Sequence, residues 1–579
     1  MLENPATMSF APSASATSFR NALLLACVAL PWLNPFAMGP STAVMPLLFT
    51  WMAVACLVLL VVDLPALSAD MRPSGRVALG IVGTACLASL LWVPDVIDHA
   101  LTLGLLAALA AIALMTRVGL HVAWRGNGLV EWVAIAWLVA AAVSSVLGVL
   151  QYLGLASDLS PWVNQPTPGD AFANLRQRNQ FASLTSIGLV AGFALLVARA
   201  QRGPLTWHGL SLAGVLLNLL AAGVACSVSR TGALQWLLLG VLGAAWAWRA
   251  GCQQPRLPRA LWLYALAAPC LAVLWSLLMP FLATQTVGHP GASMILRVAG
   301  QAQDYGVCGS RSVLWSNIVV LIAQRPWTGW GWGETDFAHF MTAYPGVRFC
   351  DLLDNAHNLP LQLAMDWGVP LALVLFTAAA GWAWRRQPWR QQDTWRSMAW
   401  GVLLVLGLHS LVEYPLWYGP FQMTLGLALG LVWSRPKMHD TQTSTQAMLP
   451  PAPATQAWTI TVACALFLGC LYAAWDFNRV AQIYRAPAQR DAIYQDNPLG
   501  HAKASWLFRN QAEFAELTVQ TVNPENAQQV FALASRLMHY SPEPRVVERL
   551  IDSAKLLGHD ELAQTLAQRL KDAQHHAQR

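Results

Sequence analysis

Apolar runs broken by short polar connections fill this chain from residue 19 to residue 475. A helix that crosses a bilayer needs about 20 mostly apolar residues. Thirteen stretches qualify on that measure: 19–37, 42–62, 76–93, 99–116, 130–153, 180–198, 206–226, 231–248, 260–282, 359–384, 396–412, 416–433 and 458–475. The first follows a polar, Ser/Ala-rich leader without a convincing cleavage site, so it is expected to stay as a signal anchor. Between the ninth and tenth runs lies a long loop, residues 283–358. Its segment from Arg311 to Gln324 has the period of an amphipathic helix, with Val313, Leu314, Ile318, Leu321 and Ile322 on a face that suits the membrane surface or the bundle. The turn beyond it, with Trp327, Trp330 and Trp332, suits a headgroup-level anchor.

The pattern changes after the twelfth run. Residues 436–457, rich in Thr, Gln and Pro, read as a flexible connector. It separates a bundle of residues 1–435 from the additional span at 458–475 and a tail of residues 476–579. In the tail, Asn523 and Pro524 precede Val530, Leu533 and Leu537 at helical spacing. Ser541 and Pro542 restart a helix carrying Val547, Leu550, Ile551 and Ala554, which ends at Gly558, and Asp560 opens a third. Such short helix pairs resemble tetratricopeptide-type hairpins and predict a packing or docking domain.

Composition supports a membrane protein. The 579 residues are 56% hydrophobic and 11% charged, with a mean hydropathy of +0.44; about a quarter of a soluble domain is charged. The expected fold is all-α: a polytopic membrane helical bundle of about 12 to 13 transmembrane helices with a long periplasmic loop and a small helical C-terminal domain. The formal charge of +6 resides in the apolar part, because twelve basic and twelve acidic residues balance from Asp476 onward. No basic stripe interleaves with aromatics, so nucleic acid is not an expected partner. With the N-terminus in the cytoplasm, most arginines outside the tail fall in cytoplasmic loops, as the positive-inside rule requires. Arg176, Arg178, Arg230, Arg297, Arg311, Arg325 and Arg348 stay on the opposite face, against that bias. Most of the ten cysteines lie in apolar runs, but Cys308 and Cys350 share the long loop and are expected to pair in an oxidising compartment.

Four polar places interrupt this apolar background. "FANLRQRNQFASL" crowds Arg176, Gln177 and Arg178 at the external start of the sixth span, where solvated arginines or a binding site both fit. "CSVSRTGALQW" places Arg230 in a tight external turn, suited to lipid phosphate or to a dedicated phosphate. "DNAHNLPLQLAMDWGVP" places His357 at the tenth span, with Asn358 beside it and Asp354 available to orient one ring nitrogen; neutral histidine accepts a proton near neutral pH. In "LHSLVEYPLWYGPF", His409 and Glu413 stand four apart and are expected to form a buried hydrogen-bonded pair rather than half of a metal site. Tyr414 follows at the external turn.

In order, "LRQRNQFASL", "SRTG", "SRSVLW", "RPWTGWGWG", "AHNLPLQLAMDWGVP" and "HSLVEYPLWY" resemble the bacterial O-antigen ligase and O-oligosaccharyltransferase superfamily across residues 130–435. The "EYPLWY" ending and the tail are most similar to its pilin-glycosylating PglL branch. The resemblance implies a multi-pass protein of the bacterial inner membrane with its site facing the periplasm. It implies transfer of a glycan en bloc from undecaprenyl pyrophosphate to Ser or Thr of a periplasmic acceptor such as pilin, with membrane lipids as the remaining partners. The family's pyrophosphate-engaging arginines correspond to Arg230 and Arg311, with Arg176 and Arg178 nearby. Its loop histidine corresponds to His357, its glutamine to Gln177 and its tyrosine to Tyr414. An inverting, His-assisted transfer is expected, without metal or cofactor, because pyrophosphate leaves as a stable anion and arginines supply the positive charge. Transfer to lipid A core sugar or to a growing glycan shares this chemistry. A transporter would also keep buried cations, but inverted repeats and broken spans at the midplane are not evident in the sequence.

Overall fold

The computed structural model describes residues 14–34, 44–61, 98–125, 127–253, 259–295, 297, 307–434 and 453–577. These residues form an all-α membrane protein. The bundle is built from α1 (Ala14–Leu33), α2 (Val44–Val61), α3 (His99–Arg125), α4 (Asn127–Tyr152), α5 (Arg178–Arg202), α6 (Trp207–Cys226), α7 (Arg230–Gln253) and α8 (Ala260–Val287). In the loop follow α9 (Arg311–Gln324) and α10 (Thr335–Met341), and then α11 (Leu359–Trp367), α12 (Val369–Arg386), α13 (Thr394–Ser410), α14 (Gly419–Trp433) and α15 (Pro453–Ala481). Among the described residues eight helices are long and apolar enough to cross a membrane, namely α2 to α8 and α15; the apolar stretch Phe19–Leu33 of α1 and helix α14 are shorter. The expected span at 76–93 lies outside the described residues, as does the connector up to residue 452.

One apolar core runs through the bundle, with Trp32, Trp137, Trp236, Phe181 and Phe421 fully buried. Helix α14 lies directly against α3 because small residues face each other: a Cβ on Gly430 would overlap the Thr116 carbonyl oxygen, and one on Gly119 would overlap that of Leu427. In a membrane, where hydrocarbon offers no hydrophobic drive between helices, such close backbone contact is what holds them.

The tenth expected span, 359–384, is not one helix. It breaks at Gly368, which has φ 86°, into α11 and α12. The Trp-rich turn causes the break by docking on it through backbone hydrogen bonds, Trp330 N to Met365 O (2.8 Å), Gly331 N to Asp366 O (3.1 Å) and Val369 N to Pro326 O (2.8 Å). A Cβ at Gly368 or Gly329 would overlap the facing backbone, so the two chains approach this closely only with glycine at both places. Of the three tryptophans read as anchors, only Trp327 is largely exposed. Trp330 Nε1 donates to Leu321 O (2.9 Å), and Trp332 stacks on Trp367 and Trp417 at 5.9 and 5.4 Å.

Helix α11 belongs with the loop. Its Met365 and Leu361 pack with Leu314, Ile318 and Leu321 of α9 and with Ala338, Phe349, Leu353 and Ala356. The apolar face of α9 thus covers a small loop core, and a disulfide joins Cys308 to Cys350 with 5.3 Å between Cα atoms. The tail forms α16 (Pro498–Lys503), α17 (Arg509–Val519), α18 (Ala527–Leu537), α19 (Pro544–Leu556) and α20 (Asp560–Ala577). Its core of Val530, Leu537, Val547, Leu550 and Leu566 is completed by Phe340, with Phe337 and Met341, from α10. The tail therefore sits on the same face of the bundle as the loop.

Candidate active site

The site forms where the start of α5, the start of α7, the start of α9, the turn before α11 and the turn after α13 meet. The chain leading to α5 is pinned by Gln151 at the end of α4. Its Oε1 accepts from Ala173 N (2.7 Å) and Phe172 N (3.2 Å), and its Nε2 donates to Asn164 O and Ala173 O. Gln177 caps α5, its Oε1 accepting from Gln180 N at 2.7 Å, a use that satisfies one of the free amides of the first turn. Arg178 is ion-paired with Asp170. Arg176 takes φ 60°, and its buried Nη1 has no hydrogen-bond partner among the described residues.

Arg230 opens α7 and is exposed. The turn before it is held by Ser229, whose Oγ donates to Asn179 Oδ1 (2.6 Å) and accepts from Gly232 N (3.0 Å). Val228 sits at φ 51°, and Arg297 reaches its carbonyl at 3.5 Å. Among the described residues no carboxylate pairs with Arg230, which leaves its guanidinium available to an anion.

Glu413 is the hub. Its Oε2 lies 2.6 Å from His357 Nδ1. Its Oε1 accepts from Asn179 Nδ2 at 3.1 Å and from Arg311 Nη2, while Arg311 Nη1 donates to the Val412 carbonyl. Burial alone would raise the Glu413 carboxyl, but the His357 hydrogen bond and the charges of His357 and Arg311 outweigh it and hold the group below its ordinary value. An ionised carboxylate accepts only, so His357 Nδ1 carries the hydrogen and Nε2 is the nitrogen left to receive a proton.

Two expected pairings are replaced. Asp354 does not orient the ring: its charge reaches His357, burial raises its own carboxyl, and Nδ1 belongs to Glu413. The side chains of His409 and Glu413 do not pair either: Glu413 N still donates to His409 O (2.9 Å), but the Glu413 carboxylate is taken by His357, Arg311 and Asn179. His409 instead shares a hydrogen bond with Ser183 Oγ at 3.0 Å, and its ring meets Phe421 edge-on. Asn358 caps α11, accepting from Leu361 N (3.0 Å), and ties that cap to Leu411 O (2.9 Å). Tyr414 lies edge-on to His357 with 4.9 Å between centroids and stacks on Tyr418. Burial, with Tyr418 and Asp354 adding, pushes its hydroxyl upward, so it stays protonated and able to donate.

Asn179 and Gln151 were not singled out by the sequence reading. Asn179 was visible only as one member of a polar cluster, and Gln151 as a polar residue at the end of an apolar run.

Fold and site together define a multi-pass membrane protein with a half-buried His–Glu pair and, among the described residues, an arginine, Arg230, that no carboxylate pairs. Comparison with known proteins agrees. Residues 171–196 match the family model described as protein glycosylation ligase, residues 214–377 that of O-antigen ligase, and residues 397–579 that of virulence factor membrane-bound polymerase, C-terminal. Over 349 residues the chain is 22% identical to the general O-oligosaccharyltransferase of Acinetobacter baylyi, covering 60% of this chain and 57% of that relative. These matches make the chain similar, along most of its length, to the O-antigen ligase and PglL-like superfamily, and it spans little more than half the length of the relative it matches.

Proposed function

We propose that this protein transfers a glycan from a polyprenyl pyrophosphate, of the undecaprenyl type, to a Ser or Thr hydroxyl of a protein at the periplasmic face of the bacterial inner membrane. The observation that carries the reading is the His357–Glu413 pair, joined through Asn179 to Ser229 in the turn that carries Arg230. The acceptor oxygen attacks the anomeric carbon as its proton passes to His357 Nε2, and Glu413 stabilises the resulting imidazolium. The bond from that carbon to the pyrophosphate oxygen breaks, and the electron pair leaves with the pyrophosphate. A single displacement of this kind inverts the anomeric centre.

The arginines divide by what already holds them. Arg311 is engaged by Glu413 and Val412, so in this reading it fixes the hub, and Arg178 is held by Asp170. Arg230, with Arg176 beside the cap of α5, is left for the pyrophosphate, where a positioned guanidinium stabilises the departing charge. Gln177 positions α5, and Tyr414 is a hydroxyl donor beside the ring.

A second reading, addition to a growing glycan, is favoured by the polymerase description of the model matching residues 397–579. Purified protein in lipid nanodiscs, given polyprenyl-pyrophosphate glycan and a Ser-containing pilin peptide, separates the two. Glycopeptide is the expected product. Elongated lipid-linked chains without glycopeptide would establish the polymerase, and consumption of donor without either product would overturn both.

A further inference from the structure

His357 is held at φ 49°, in the left-handed region that a side-chain-bearing residue occupies only when its surroundings impose it. Two hydrogen bonds impose it here. Asn355 Oδ1 accepts from His357 N at 2.9 Å, and Gln362 Oε1 accepts from Ala356 N at 2.7 Å. The second comes from outside the turn and is the better buried: Gln362 is 3% exposed and Ala356 fully buried.

The Gln362 carboxamide has only one way to face. Its Nε2 donates to both carboxylate oxygens of Asp366 (3.0 and 3.1 Å) and to Thr335 Oγ1 (3.1 Å). Asp366 and Thr335 are each 1% exposed, and among the described residues no cation pairs with Asp366. The Ala356 N–H can only donate, so it takes the oxygen side of the amide and leaves the NH2 facing Thr335 and the Asp366 carboxyl, which burial raises to about 8 and whose oxygens accept there. The spacing of Gln362 and Asp366 places both on one face of α11, with Thr335 of α10 closing the network from the loop.

We infer that Gln362 is a positioning residue for His357, locked by Asp366 and Thr335 so that the turn 355–357 presents the imidazole to Glu413. The inference rests on the reading of His357 as proton acceptor. Removing the lock leaves the ring attached to Glu413 but frees the backbone that carries it, and small misplacements of a reacting group cost about tenfold to a hundredfold in rate.

The test is glycan transfer by the full-length protein in nanodiscs, with donor KM and kcat measured separately beside the melting temperature. Gln362→Met keeps the volume but loses the acceptor for Ala356. Its kcat is expected to fall about tenfold or more, with donor KM within about twofold of wild type. Gln362→Glu keeps that acceptor but sets two carboxyls against each other, and its kcat should fall too. Adding Asp366→Asn to Gln362→Glu exchanges carboxylate and amide, restores a donor between the two positions, and is expected to recover kcat to within about threefold of wild type. Wild-type kcat in Gln362→Met, alongside an inactive His357→Ala, would overturn the positioning role and leave the reading of the site intact. If Gln362→Met does not fold, the double variant decides: folded with kcat recovered supports the role, and folded without recovery overturns it. Wild-type transfer by His357→Ala would remove the underlying reading and this inference with it.

Discussion

At the scale of single residues, Glu413 explains the site best. It joins the start of α5 through Asn179, the start of α9 through Arg311 and the turn before α11 through His357. Glu413→Gln keeps the shape but replaces the carboxylate facing His357 Nδ1 with a neutral amide. Transfer is expected to fall about a hundredfold, measured as kcat, while the protein stays folded. The pH dependence has a definite sign. The folded-state carboxyl lies below its unfolded value of about 4.3, so its contribution to stability is complete above that value and is lost as pH falls through the lower folded one. Acid therefore loosens this hub, and melting curves of wild type and Glu413→Gln should converge as pH drops below about 4. His357 and Glu413 were both legible in the sequence as polar residues at span ends, but their partnership was not. A spacing of four sets Glu413 one turn beyond His409, but it does not show that the carboxylate is taken by Asn179, Arg311 and His357 from three other parts of the chain.

Among the elements, the break between α11 and α12 places the site. A hydropathy window reads 359–384 as one span because it averages over Asp366, Gly368 and Pro370, although Gly and Pro are themselves helix-breaking signals. What no local pattern records is the turn more than 30 residues upstream whose backbone hydrogen bonds dock on that break. Gly368→Ala is expected to destabilise the loop by about 2 kcal/mol or more, through its positive φ and the facing Trp327 carbonyl, seen as faster proteolysis between α9 and α12. The neighbouring α10 carries a group of opposite pH sign. Burial, reinforced by the Glu334 and Asp354 charges against a backbone hydrogen bond from Phe337, raises the Asp336 carboxyl to about 8. Between its unfolded value of about 3.9 and that folded one, the folded state keeps a proton that the unfolded state has lost, so stability declines as pH rises across the window. Asp336→Asn keeps the acceptor for Phe337 N, and it should raise the melting temperature at pH 8 and flatten its decline with pH.

For the whole molecule, apolar periodicity and length were enough to read a helical membrane bundle with a helical tail. Where the tail rests was not legible, because an apolar helix face does not say what covers it. It rests on α10: His539 Nδ1 lies 2.7 Å from Glu334 Oε2, and its ring stacks on Phe337 at 3.9 Å. His539→Ala is expected to speed amide exchange in residues 335–341 by about tenfold, the effect of losing roughly 1.4 kcal/mol of local stability, while exchange in α5 stays unchanged. Through Glu334 the tail is also joined to the segment whose Trp332 stacks on Trp417 beside Tyr414. The most direct test of the central claim, that His357 takes the acceptor's proton, is the single-turnover transfer rate of His357→Ala at saturating lipid-linked donor, with donor affinity measured on the same preparation. The account predicts a rate lower by about a hundredfold or more with donor affinity near wild type. A rate within about twofold of wild type at full donor occupancy would contradict it.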